Sequence, residues 1–204
     1  PGFGGQSFIP ATLDKLREYK LLQYLFPQSQ EALQRDSHAL ALLRAAMGNT
    51  DQRIAQDKPV TPAFILAALL WPTTKKIAAH LQQQGEPPMV AMTNAAHQTI
   101  AEAARHIYIP RRFSQPMREI WEFQLRLQRN HGRKAAELVD HRRFRAAYDF
   151  LLLREQAGEE TGNLGSWWTT FQELPMEQRL QQATDGKGSS GGRRTRTRRS
   201  NRST

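Results

Sequence analysis

Apolar residues recur every three or four positions along most of the chain, and no stretch of useful length alternates between apolar and polar residues. Spacings of three and four place side chains on one side of an α-helix, whereas alternation is typical of a β-strand. We therefore predict an all-α fold. With 204 residues the chain can bury a sizeable core. We divide it into an irregular terminus (1–12), a helical body (13–172), and a linker with a disordered arginine-rich tail (173–204).

The clearest predicted helix starts at Thr61-Pro62, where a hydroxyl cap precedes a proline at the first helical position. Residues 63–71 are apolar on nearly every side, which predicts a helix that is buried all round and that Pro72 ends. Gly48 is predicted to end an earlier helix that Ser37 caps. Further helices are predicted at 75–84, 90–107, 118–131, 133–140 and 141–155.

The net charge of +10 is concentrated in two basic blocks. Residues 105–154 hold 12 basic and 5 acidic side chains, and residues 186–204 hold 7 basic and no acidic ones. Between them, residues 155–185 hold 1 basic and 6 acidic side chains, whereas residues 1–104 are nearly neutral. Two separate blocks of the same sign indicate a polyanionic partner. The alternative is that the first block is merely a solvated helix face.

Basic side chains are the candidate ligands of this polyanion, because guanidinium groups bind phosphate oxygens in a fork. The aromatic and aliphatic residues among them are instead predicted to pack in the core. In the first block the candidates are Arg111, Arg112, Arg118, Arg126, Arg129, Arg133, Lys134, Arg142, Arg143 and Arg145. In the tail they are Arg193, Arg194, Arg196, Arg198, Arg199 and Arg202.

The spacing of these side chains refines the prediction. Arg126, Arg129 and Arg133 fall at i, i+3 and i+7, which would place three guanidinium groups along one helix face. Arg145 and Asp149 form an i, i+4 pair, which would occupy part of the Arg145 guanidinium. Arg145 is therefore expected to be only partly available to a ligand.

Trp167, Trp168 and Phe171 lie close together after a glycine. Aromatic side chains can stack on nucleic-acid bases, but aromatics at helical spacing beside an acidic segment more often form a packing face. We assign these three residues to the core.

Several classes of site and protein are excluded by what the sequence lacks. It contains no cysteine, which rules out disulfides, thiolate zinc sites and cysteine nucleophiles. Its six histidines form no His-x-x-x-His pair, and no Asp-x-Asp pair is present to hold catalytic metal ions. We predict no catalytic residue and no metal site in this chain. The longest apolar run, 62–71, is half the roughly 20 residues of a membrane span, so we expect a cytoplasmic protein without a membrane partner.

Three stretches, 109–113, 118–127 and 141–149, resemble the C-terminal region of the bacterial poly(A) polymerases. These enzymes belong to the class II nucleotidyltransferase family, which also includes the tRNA CCA-adding enzymes. The resemblance covers most of residues 13–172, and the arginine-rich end is similar to the basic tail of the bacterial poly(A) polymerases. Supporting matches lie at 25–27, 49–54, 60–64, 71–72 and 167–172.

The resemblance implies a helical body that holds RNA beside a separate catalytic head. In the family that head carries a metal-binding aspartate pair, and a following neck carries an acidic-arginine motif that selects ATP. Neither motif is found here, so we expect the chain to be a piece that begins after the neck. ATP and Mg²⁺ are expected for the full-length enzyme only. The implied reaction is addition of adenylates to RNA 3′ ends, with RNA as partner and RNA-decay proteins as further partners.

A second hypothesis is a helical protein-interaction module whose basic tail serves as a docking arm. The all-round apolar helix at 62–71 and the acidic segment at 155–185 motivate it. A membrane-surface protein is disfavoured, because the arginines of the tail have no apolar face beside them.

Overall fold

A computed structural model describes residues 18–131 and 133–185. The described residues form ten α-helices and no strand, which confirms the all-α prediction. The helices are α1 (Leu22–Leu25), α2 (Pro27–Arg35), α3 (Ser37–Ala55), α4 (Pro62–Gln83), α5 (Pro88–Ala103), α6 (Arg111–Leu127), α7 (Arg133–Val139), α8 (Phe144–Gln156), α9 (Leu164–Glu173) and α10 (Met176–Asp185).

Helix α4 is the centre of the fold and packs against α2, α3, α5 and α6. It starts where the sequence predicts, because the Thr61 hydroxyl accepts a hydrogen bond from the Ala63 amide at 3.1 Å. Ala67 and Ala68 are fully buried, and their small side chains let neighbouring helices approach closely. The Trp121 indole of α6 donates to the Ala67 carbonyl at 3.1 Å. Residues 67–71 are buried, whereas Phe64, Ile65 and Leu66 are only partly buried, so the helix is not buried all round as predicted.

Two predicted helix ends are wrong. Helix α4 continues through Pro72 to Gln83, so the predicted helix at 75–84 is its second half. Proline removes one backbone donor, but buried residues on both sides, Trp71 and Thr74, keep the segment helical. Likewise α3 continues through Gly48 to Ala55. In both places tertiary packing outweighs the local propensity of one residue.

A second apolar cluster joins α6, α7, α8 and α9. Phe123, Phe144 and Tyr148 are buried in it, as predicted. Trp168 is fully buried and donates its indole N–H to the Leu127 carbonyl at 2.9 Å, at the C-terminal end of α6. Trp168 and Phe171 therefore belong to the core, and Trp167, which is partly buried, stacks on Phe171 with ring centroids 4.4 Å apart.

The remaining boundaries agree with the predicted ones only in part. Helix α6 begins seven residues before the predicted start at 118 and ends at Leu127 rather than at 131. Helix α7 lies close to the predicted 133–140. The terminus at 1–12 and the tail beyond 185 lie outside the described residues, while α10 falls within the segment predicted as a linker. No helix of 18–131 or 133–185 is long and apolar enough to cross a membrane.

A buried ion pair connects the α8–α9 region to α4 and α6. The Arg154 guanidinium donates to both carboxylate oxygens of Glu159 at 2.9 Å and to the Gln124 side-chain oxygen at 2.8 Å. It also lies over the Trp71 ring, 4.8 Å from the centroid, and Lys75 contacts Glu159 at 3.1 Å. Burial raises the pKa of Glu159, but Arg154 and Lys75 outweigh it and lower this pKa to about 2.

Candidate nucleic-acid interface

A cleft of about 450 Å³ opens between α3, α4, α6 and α8, and we call it the arginine cleft. Parts of 49–54, 60–64 and 141–149, stretches on which the family resemblance rests, come together around it. Its lining residues are Asn49, Thr50, Arg53, Pro59, Val60, Thr61, Ala63, Phe64, Pro116, Ile120, Arg142, Arg143, Arg145, Ala146 and Asp149.

Arg142 and Arg143 are predicted site residues, and both lie at this cleft, just before α8. The Arg142 guanidinium donates to Glu119 of α6 at 3.2 Å, and Arg143 donates to the other oxygen of the same carboxylate. Burial raises the pKa of Glu119, but the hydrogen bonds from Arg143 and Gln115 and the charges of Arg143 and Arg142 lower it overall. The ionised Glu119 therefore fixes two guanidinium groups at the edge of the cleft.

Arg145 also lies at the cleft and pairs with Asp149 at 3.0 Å, as its i, i+4 spacing predicts. Its guanidinium lies over the Tyr148 ring, 5.6 Å from the centroid. Burial raises the pKa of Asp149, although the charges of Arg145, Arg53 and Lys58 oppose this. About 70% of the Arg145 side chain remains exposed, so the guanidinium is accessible to a ligand from the cleft.

Arg53 is a site residue that the sequence analysis missed. It lies near the end of α3, and its guanidinium donates to the Pro59 carbonyl at 3.1 Å, which holds the segment before α4 against α3. Arg53 belongs to the nearly neutral part of the sequence, so charge counting could not select it. The only signal was its position in the 49–54 stretch that supports the resemblance.

The arginine cleft is positively charged overall. Four guanidinium groups face two carboxylates, those of Glu119 and Asp149. Guanidinium groups in a partly enclosed cleft bind phosphate oxygens in a bidentate geometry and are never deprotonated in proteins. The cleft can therefore hold phosphate groups at any physiological pH.

A second basic groove, which we call the α6–α7 groove, has a volume of about 630 Å³. Arg126, Arg129 and Lys134 line it, and the Arg126 guanidinium lies over the Phe123 ring, 5.2 Å from the centroid. In the described ranges neither Arg129 nor Lys134 takes part in an ion pair. His141 lines this groove, whereas the next residue in the chain lines the arginine cleft, so the two basic surfaces meet at the turn between α7 and α8.

The prediction that Arg126, Arg129 and Arg133 share one helix face is wrong. Helix α6 ends at Leu127, so Arg129 follows it and Arg133 begins α7. Arg133 pairs with Glu137 at 3.1 Å and is absent from the lining of the α6–α7 groove. The groove is completed by Lys134 instead.

The other predicted site residues lie apart from the two grooves. Arg111 and Arg112 are exposed at the start of α6, and Arg112 lies over the Phe113 ring, 4.9 Å from the centroid. Arg118 is partly buried, and one guanidinium nitrogen lies 2.5 Å from His97 Nε2. The predicted tail residues Arg193, Arg194, Arg196, Arg198, Arg199 and Arg202 lie outside the described residues.

Within 18–131 and 133–185, no group of three or more histidines and acidic residues lies close enough together to hold a metal ion. The described side chains thus offer no candidate site for the Mg²⁺ that the resemblance assigns to the separate catalytic head of the full-length enzyme.

Comparison with known proteins identifies relatives of the chain. A family model described as "Polymerase A arginine-rich C-terminus" matches residues 84–203. Poly(A) polymerase I of Salmonella typhi is 37% identical over 174 residues, which are 82% of this chain and 37% of the relative. The enzyme of Escherichia coli O6:H1 is 38% identical over 169 residues (79% of this chain, 36% of the relative). That of Haemophilus influenzae is 33% identical over 170 residues (81% and 38%).

In each of the three relatives, the match covers nearly the same share of this chain. The chain spans a little over a third of the length of the curated relatives it matches. Since the family model covers more than half of the chain, the chain belongs to the poly(A) polymerase arginine-rich C-terminus family.

Proposed function

We propose that this chain is the RNA-binding C-terminal part of a cytoplasmic polynucleotide adenylyltransferase that adds poly(A) to RNA 3′ ends. The arginine cleft carries the proposal, because it brings Arg53 of α3 together with Arg142, Arg143 and Arg145, which lie at the start of α8, far along the chain. The names of the relatives support the reaction, which would be carried out elsewhere in a longer protein with ATP and Mg²⁺. RNA-decay proteins are proposed partners of that longer protein.

The chemistry of the cleft favours contact with the RNA backbone. Phosphate contacts position a nucleic acid without reading its sequence, whereas sequence is read through base edges. An enzyme that extends any 3′ end needs this kind of binding. The second basic surface, the α6–α7 groove, adjoins the cleft and would continue the path of the strand.

Part of what motivated a protein-interaction module is occupied inside the fold. The all-round apolar helix is α4, whose apolar residues form the core. In the acidic segment, Glu155 accepts a hydrogen bond from the Gly165 amide at 2.8 Å, and Glu159 pairs with Arg154. These contacts and the exposed positive charge of the two grooves support RNA, and not a protein, as the partner.

The test replaces two exposed arginines of the cleft, Arg142→Ala and Arg145→Ala together, in the full chain. We expect affinity for single-stranded RNA to fall by about tenfold or more, and equally for oligonucleotides of different sequence, because charged hydrogen bonds to phosphate are lost. The control is the double variant Arg35→Ala and Lys76→Ala, which removes the same charge from a different groove, between α2 and α4. An equal loss in the control would mean that net charge, and not the cleft, binds RNA.

A further inference from the structure

Tyr108 lies in the connection between α5 and α6, and the residue is 88% exposed. This is the largest exposed fraction among the large apolar side chains of the described residues. A single exposed aromatic is common on protein surfaces and identifies no site alone. What distinguishes Tyr108 is how its backbone is held and which charges follow it.

The connection that carries Tyr108 is anchored on both sides. The Ile107 amide donates to the Ala103 carbonyl at 3.1 Å, at the end of α5. Ile109 is partly buried and packs against the main apolar cluster, and Pro110 restricts the backbone that enters α6. The ring of Tyr108 is therefore presented to solvent by a fixed backbone, so that little conformational entropy would be lost when a ligand stacks on it.

Two cations follow this ring, three and four residues along the chain. Arg111 and Arg112 are both exposed in the first turn of α6, which contains no acidic residue. Pro116 and Ile120, four and eight residues after Arg112, line the arginine cleft. Residues spaced by four lie on one side of a helix, and four residues rise about 6 Å along its axis. Arg112 therefore continues the cleft-facing side of α6, toward Tyr108.

We propose that Tyr108 is a stacking platform for one unpaired RNA base, and that Arg111 and Arg112 contact the phosphates that lead from this base to the arginine cleft. The proposal rests on the proposed function of RNA binding. A tyrosine face stacks on any base, which suits binding without sequence preference. The partner is single-stranded because the bases of a duplex are already stacked on their neighbours. The adjacent cations favour a polyanion over an apolar protein surface.

The test compares three variants of the full chain, Tyr108→Ala, Tyr108→Phe and the control Tyr24→Ala. Tyr24 is 69% exposed on α1 and is therefore a matched exposed tyrosine elsewhere on the surface. For a single-stranded adenylate oligonucleotide we expect Tyr108→Ala to weaken binding about tenfold, since stacking on one base contributes about 1–3 kcal/mol. Tyr108→Phe keeps the ring and should bind within about twofold of the parent chain.

A second measurement uses a blunt RNA duplex and a photoreactive oligonucleotide. Affinity for the duplex should be unchanged in Tyr108→Ala, and 4-thiouridine in the single strand should cross-link to residues 106–112 of the parent chain. Parent-like binding of the single strand by Tyr108→Ala overturns the stacking proposal, even where the cleft variants lose binding. An equal loss in Tyr24→Ala overturns it as well. If the parent chain binds no RNA, both this proposal and the proposed function fail.

Discussion

Replacing Glu159 with glutamine removes the carboxylate that neutralises the buried Arg154. The Arg154 side chain is 8% exposed and that of Glu159 is 22% exposed, so the guanidinium would lose its counter-charge in a largely dry environment. Breaking a buried pair by removing one partner is costly because the remaining charge is uncompensated. We expect Glu159→Gln to lower the free energy of unfolding substantially at pH 7.

The magnitude follows from the pKa of Glu159, which is about 2 in the folded chain against a reference value of 4.5. A carboxyl whose pKa falls by this amount on folding stabilises the folded state by about 3 kcal/mol when it is ionised in both states. The stabilisation is complete above about pH 4.5 and is lost as the pH falls toward about 2. The glutamine variant has no such group, so its stability lacks this dependence on pH.

The assay is urea unfolding followed by tryptophan fluorescence at pH 7 and at pH 3. The difference in unfolding free energy between the parent and Glu159→Gln should be about 3 kcal/mol at pH 7 and about half of that at pH 3. Glu160→Gln, which changes the adjacent exposed carboxylate, serves as the control and should cost less than about 0.5 kcal/mol. A loss below about 1 kcal/mol at pH 7, or a difference that does not shrink at pH 3, would refute the reasoning.

Other substitutions test the packing and the cleft. A Cβ at Gly165 would collide with the Glu155 carboxylate and lie 2.8 Å from Leu152 Cδ2, so Gly165→Ala should cost about 1–3 kcal/mol in urea unfolding. Gly48 lies inside α3, and a Cβ added there would have no atom within 4 Å. Gly48→Ala should therefore raise the free energy of unfolding by up to about 1 kcal/mol in the same assay. A lower free energy of unfolding would contradict the open space at this position. Asp149→Asn removes a carboxylate that burial disfavours and leaves the cleft more positive, so it should tighten RNA binding in a titration; weaker binding would argue against phosphate at this site.

Local sequence signals predicted a helix boundary correctly where one short motif determines the backbone conformation. Thr61-Pro62 marks a helix start because the hydroxyl cap and the proline both act within the first turn. Pro72 and Gly48 were predicted to end helices and do not, because the side chains around them are buried against other helices. A helix stop in the sequence is a local preference, and packing partners far away in the chain can override it.

The candidate site was likewise predicted in part from the sequence and in part decided by packing between distant segments. Charge counting selected Arg142, Arg143 and Arg145, which the structure brings to one cleft. It could not select Arg53, since only the packing of α3 beside α8 brings this residue to them. The predicted arginine face failed because α6 ends at Leu127, before Arg129 and Arg133. The Leu127 carbonyl accepts the indole N–H of Trp168, a contact 41 residues along the chain that the sequence does not reveal.

The most direct test of the account is the salt dependence of RNA binding by the full chain. If about five phosphates are held, the logarithm of the association constant should fall with the logarithm of salt concentration with a slope of about −3 to −4. The double variant Arg142→Ala and Arg145→Ala should reduce the steepness by about 1.4, because each contact with single-stranded RNA contributes about 0.7. Binding that does not respond to salt, or a slope that is the same in the parent and the variant, would contradict the claim that the arginine cleft holds the RNA backbone.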